Sequence, residues 1–193
     1  MNRLIQLAFR DLMMALFALF FLFFLVPHKP EEKVEDTGEV VTQGEVVVEI
    51  SWPPHNIDID LWVLSAGTSM PVGYSNKGLR NCNLLRDDLG TSPSLDPLPI
   101  NFESVVCRKW ELGEWVINLH YYGGSDYKLG SMPVDVVVKH IDEKSTYIVY
   151  QGTVVLPTVK VERTAVRFIV DGTGKANIIQ EPKLFGIGNE RGL

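Results

Sequence analysis

The chain has 193 residues with a formal net charge of -6, 46% hydrophobic and 22% charged residues. After an apolar N-terminal stretch is subtracted, that leaves room for one domain with a real core. No Lys/Arg block stands out, which argues against a nucleic-acid-binding protein.

The N-terminus carries Arg3 and Arg10 ahead of an uninterrupted apolar run, 12–26, and the stretch after Lys29 is mostly acidic. This asymmetry predicts a cytoplasmic N-terminus with the rest of the chain outside. With LIQLAF included, a helix over 4–26 is long enough for the ~30 Å hydrocarbon core at 1.5 Å per residue. Pro27 and Pro30 would stop it. The expected single-pass segment is therefore 1–27. A cleaved signal peptide competes, but FLVPHKP offers no small-residue cleavage site. A plain anchor also competes, with Arg10 snorkelling and Asp11 paired to it.

Asp11, Ala15, Ala18 and Leu22 fall on one helical stripe. A carboxylate below two small residues suits a helix that packs closely against partners and carries an ion. The run FRDLMMALFALFFLFFL resembles the transmembrane helix of the flagellar stator B subunit, MotB, and those of the Zorya B, ExbD and TolR proteins. Asp11 matches their ion-carrying aspartate, and Ala15 and Ala18 match their two alanines. Arg10 and Met14 depart from the pattern. Met14 stands where the family has a hydroxyl, which favours protons over sodium. The resemblance implies a B-type subunit of a proton-driven rotary motor in a bacterial inner membrane. Two copies, a homodimer, would sit inside a pentamer of multi-span A-type subunits of the MotA/ExbB kind. A periplasmic domain would hold a cell-wall or protein partner. The other reading is a membrane-tethered periplasmic binding module without ion transport.

Residues 28–44 are polar, acidic and contain Pro and Gly, the composition of a flexible linker. From Glu45 the pattern is β. EVVVEIS, DIDLWVLS, EWVINLHYY, PVDVVVKH, TYIVYQGTVVL and TAVRFIVD are short runs rich in Val, Ile and aromatics, separated by turn formers. Trp115, Ile117, Leu119 and Tyr121 share one face, with Asn118 and His120 on the other. Val134, Val136 and Val138 oppose Asp135 and Lys139. The expected fold class is mainly β, a single N-terminal transmembrane helix followed by an antiparallel, Ig-like β-sandwich over 45–193. The blocks DIDLWV, RDDLG and GEWVINLHYYGG also resemble a family of uncharacterised bacterial β-sandwich domains, which implies the fold and no activity. The tail beyond Ile141 would add strands or one long hairpin.

Within this domain Asp58 and Asp60 point to one side of a strand start, and Asp87 and Asp88 sit in a turn. Clustered carboxylates with backbone carbonyls suit Ca²⁺. Aspartates that cap turns are the other reading. His55, His120 and His140 have no metal-ligand spacing to each other or to a cysteine. No serine has a nucleophile-elbow context, so no enzyme is expected. Trp52, Trp62, Trp110 and Trp115 read as core or sheet-face residues, with an exposed one able to serve as a glycan or peptide platform. Cys82 and Cys107 allow one disulfide, which would contribute ~3–4 kcal/mol. Two unpaired buried thiols are the alternative.

Overall fold

Alternating Val, Ile and aromatic residues cannot bury their apolar side alone, so the strands they form must stack as two sheets. The computed structural model describes residues 3, 9–17, 44–91 and 100–187. Strands run in the order β1 (Val46–Trp52), β2 (Asp58–Leu64), β3 (Gly78–Leu79), β4 (Cys82–Arg86), β5 (Asn101–Cys107), β6 (Gly113–Gly123), β7 (Met132–Ile141), β8 (Thr146–Leu156), β9 (Glu162–Val170) and β10 (Ala176–Ile179). A 3-10 turn at Tyr127–Leu129 links β6 to β7. One sheet has the order β3-β4-β5-β1-β7-β8 and the other β10-β9-β6-β2. Every pairing is antiparallel. The protein is thus mainly β, with two antiparallel sheets.

The register fixes the core. Val46, Val48 and Ile50 of β1 lie beside Val138 and Val136 of β7, and all are buried. From the second sheet, Ile59, Leu61 and Val63 of β2, Trp115, Ile117, Leu119 and Tyr121 of β6, and Phe168 of β9 face them. The tail beyond Ile141 does not form a single hairpin. Its β8 extends the first sheet beside β7, while β9 crosses to the second and pairs with β6. The outer face of the second sheet is also buried in part. Gly73 lies so close to the Trp62 ring that a Cβ there would stand 2.5 Å from it, and Tyr74 meets the same ring edge-on. The C-terminal segment is strapped across β6 and β9. Glu162 accepts the N–H groups of Phe185, Gly186 and Ile187, and Asn118 donates to the Lys183 carbonyl.

The expected membrane-spanning, proton-carrying motor subunit with an inner-membrane location is corrected by this structure. Among the described residues no helix is long and apolar enough to cross a membrane. The described helical residues around Asp11 are 9–17. Asp11 lies among them with its side chain 72% exposed, 3.8 Å from Arg10, as an ordinary surface ion pair. Ala15 is exposed. Ala18 and residues 28–43, expected as packing residue and linker, lie outside the described residues.

Candidate functional site

The acidic end of the sandwich is built where β2 begins. The loop before it is held by side chains and by a closely packed glycine. Asn101 donates to the carbonyls of Pro53 and His55, and the Trp52 indole donates to that of Ile57 at 2.9 Å. Gly124, at φ +125°, packs so tightly that a Cβ would meet the Asn56 carbonyl oxygen at 2.1 Å. That backbone conformation and that gap both demand glycine. Gly124→Ala is expected to lower stability by about 2 kcal/mol. A chemical denaturation curve checks it, and an unchanged midpoint would show that the loop yields freely.

The structure brings the four sequence-predicted aspartates to one end and gives each a different assignment. Asp88 is buried and committed to its own loop. Its oxygens accept from Arg86 at 2.7 Å, from the Gly90 N–H at 3.0 Å and from the Phe102 N–H at 3.2 Å. It is a turn-capping aspartate. Asp60 faces His120 across the β2–β6 ladder, with 2.9 Å between its carboxylate and the ring Nδ1. Asp87 pairs with Lys77 at 2.8 Å through one oxygen, while its buried Oδ1 has no hydrogen-bond partner. Asp58 likewise keeps a buried Oδ1 without a partner.

Charge accumulates here faster than it is neutralised. Partial burial pushes the Asp58 carboxyl up to about 7, and the negative charges of Asp60 and Asp87 push the same way. His120 pulls it down, without prevailing. A fifth acid, Glu103, was not singled out in the sequence. It sits on the inward phase of β5, 1% exposed, and bridges the two sheets. Its Oε2 accepts the Leu61 N–H at 2.7 Å and its Oε1 the Asp88 N–H at 3.1 Å. Burial raises its pKa to about 9, against the pull of those two donors. The readable signal was the alternation itself, which places Glu103 in phase with the buried Asn101, Val105 and Cys107. His120 was placed on the correct face by alternation, but its partner Asp60 was not foreseen. Among the described residues no three His, Cys, Asp or Glu side chains converge as a ready metal cage.

A concavity of about 370 Å³ lies between the start of β8 and the start of β10. Trp110 lines it, half-buried, with its indole N–H donating to the Gly174 carbonyl at 2.9 Å. His140 stacks on its ring at 4.4 Å and Tyr147 stacks beyond His140. The face that Trp110 would offer to a glycan is therefore covered by His140. Trp52, Trp62 and Trp115 are buried.

Cys82 and Cys107 are directly opposite in the β4–β5 ladder and form a disulfide, with Cα atoms 4.0 Å apart.

No family model matches the chain, and no curated protein matches it in sequence. Among solved structures, it is similar to the crystal structure of the unknown-function protein SAV2460. That likeness has a TM-score of 0.49 at 13% identity, over 75% of this chain and 91% of that one. It is also similar to a homologue of the telluride resistance protein TerD, SCO6318 from Streptomyces coelicolor A3(2). Here the TM-score is 0.40 at 14% identity, over 74% of this chain and 90% of that one. Neither likeness is close enough to carry a functional argument.

Proposed function

We propose that this protein is a Ca²⁺-responsive β-sandwich binding module. The observation that carries this reading is the unneutralised acidic end. Asp58 holds a buried oxygen without a partner and a carboxyl pushed up to about 7 by burial and by its acidic neighbours. Asp87 contributes a second such oxygen. Carboxylates gathered in this way are costly without a cation, and a bound divalent ion inverts that cost. Ca²⁺ takes 6–8 oxygen ligands and accepts carbonyls and water among them. A site with two free carboxylate oxygens would take the remainder of its shell from those sources. Of the four aspartates expected from sequence, Asp58 and Asp87 are the ligands favoured. Asp88 and Asp60 stay with Arg86 and His120.

Thermal unfolding of the full chain with Ca²⁺ and with chelator tests the reading. At Ca²⁺ about 100-fold above Kd, Tm is expected to rise by about 5–10 °C. Asp58→Asn should remove the rise while remaining folded. The pH dependence provides an independent readout. In chelator, the folded state keeps a proton on Asp58 between its ordinary value of 3.8 and about 7, where the unfolded chain has released it. The stability from this group is fully present below pH 3.8 and is lost as pH rises through about 7. Saturating Ca²⁺ competes with that proton and should flatten the slope. A Tm indifferent to Ca²⁺, or a rise that survives in Asp58→Asn, would overturn the proposal.

A further inference from the structure

The outer face of the second sheet gathers aromatic rings where β2 and β6 run side by side. Trp62 stands on β2, His120 and Tyr122 stand on one face of β6, and Tyr74 reaches over from the connection between β2 and β3. Neighbouring rings are steeply inclined. The Tyr74 ring lies 5.3 Å from that of Trp62 at 77° and 6.3 Å from that of Tyr122 at 63°. The Tyr122 ring lies 6.2 Å from that of His120 at 73°. Trp62 and His120 are buried, whereas Tyr74 and Tyr122 are half-buried, so this frame reaches the surface.

A cation already rests on it. The Lys160 ammonium lies 4.2 Å from the Tyr122 centroid, over the ring. No acid places it there, because among the described residues Lys160 forms no ion pair. Arg86 differs, since it lies 4.2 Å over the Phe102 ring but is also held by Asp88 at 2.7 Å. The backbone of Lys160 is left-handed, at φ +64°, a conformation that residues with a side chain seldom adopt. Its N–H donates to the Tyr121 carbonyl at 2.7 Å, and the Tyr121 N–H donates to the Val161 carbonyl at 3.0 Å. The turn between β8 and β9 is thus tied to β6 next to the ring that its lysine covers.

We propose that Tyr122, Tyr74 and Trp62 form a binding site for a trimethylammonium group, and that Lys160 is its built-in occupant, displaced when the ligand enters. Aromatic faces attract a cation through the ring quadrupole, and several inclined rings surround it with such faces. A primary ammonium must also satisfy its N–H donors, so it gains the attraction only while those donors reach water. The exposed Lys160 meets that condition. A trimethylammonium group has no N–H to satisfy and presents methyl groups that pack on ring faces, so it replaces the lysine without a lost hydrogen bond. Choline and a trimethylated lysine side chain share this chemistry. The rings carry the proposal, not the oxygens of Asp58 and Asp87, and it stands independently of Ca²⁺ binding.

A nuclear magnetic resonance titration of the full chain in chelator tests it, with the Trp62 indole N–H as reporter. The indoles of Trp52, Trp110 and Trp115 donate to backbone carbonyls, whereas the buried Trp62 nitrogen has no hydrogen-bond partner, which sets its resonance apart. Choline is expected to shift it with a Kd of about 1–10 mM. The neutral isostere of choline, with carbon in place of the quaternary nitrogen, should bind at least about tenfold more weakly, because charge alone separates the two. Lys160→Ala removes the internal competitor and keeps a side chain on the left-handed backbone, and should tighten choline binding at least about threefold. Tyr122→Phe keeps the ring and should still bind, whereas Tyr122→Leu and Tyr74→Leu should each weaken binding at least about fivefold. Near-UV circular dichroism establishes that each variant is folded. A blocked trimethyl-lysine, titrated in parallel, separates a protein side chain from free choline as the source by which of the two binds more tightly. No shift with choline up to about 50 mM in either the wild-type chain or Lys160→Ala, equal binding of the neutral isostere, or binding that survives both leucine variants would each overturn the proposal.

Discussion

Replacing Glu103 by alanine is expected to lower the free energy of unfolding by about 4 kcal/mol, as read from a urea transition. Two buried N–H groups, those of Leu61 and Asp88, would lose their acceptor, at ~1–3 kcal/mol each. The missing side chain would also leave a gap between the sheets. Glu103→Gln should cost about half as much. It keeps one carbonyl acceptor, but its amide nitrogen cannot accept the second N–H. The pH dependence separates charge from packing. Glu103 rises from 4.5 to about 9 on folding, so its contribution is full below pH 4.5 and is lost as pH rises through about 9. The glutamine variant should lack that slope. If Gln proves as damaging as Ala, the two acceptor bonds are not what this residue supplies.

Cys82→Ser, or Cys107→Ser, is expected to cost about 3 kcal/mol. The bond closes a loop with a sequence separation of 25, which contains the acidic turn at Asp87 and Asp88. It also ties β4, and through it the short β3, to the central part of the first sheet. Reducing the wild-type chain should shift the denaturation midpoint to the same extent as either substitution. Equal midpoints in reduced and oxidised protein would show that the ladder hydrogen bonds alone hold β4 in place.

The parts of the fold legible in the sequence were those whose apolar periodicity is uninterrupted. The run in β7 that sets Val134, Val136 and Val138 against Asp135 and Lys139 could be read for both strand and face, and all three valines are buried. β5 could not, although it is one of the two central strands of its sheet. Asn101 and Glu103 occupy its inward phase, and polar residues there cancel the alternation on which a strand reading depends. Those same two residues hold the loop before Asp58 and the edge of β2. A strand was therefore hidden by the side chains that organise the candidate site. The four aspartates were visible as pairs, but their division of labour was not. It depends on Lys77, Arg86 and His120, which reach them through folding and not through spacing. The N-terminal reading was misled by hydropathy. An apolar run and one aspartate in register suggested a span, whereas among the described residues no helix is long and apolar enough to cross a membrane, and Asp11 is exposed beside Arg10.

The place of β1 between β5 and β7 has a consequence for how the chain reaches its native state. Ile50 pairs with Val136, whose codon is translated long after its own. At ~5–20 residues per second, an emerging β1 waits roughly 5–20 s for that neighbour. Most ladders here likewise join distant stretches of chain, which places the protein among slow, topology-limited folders. During biosynthesis, then, the period of greatest exposure to aggregation falls on the VVVEIS segment, before the second half of the domain has left the ribosome.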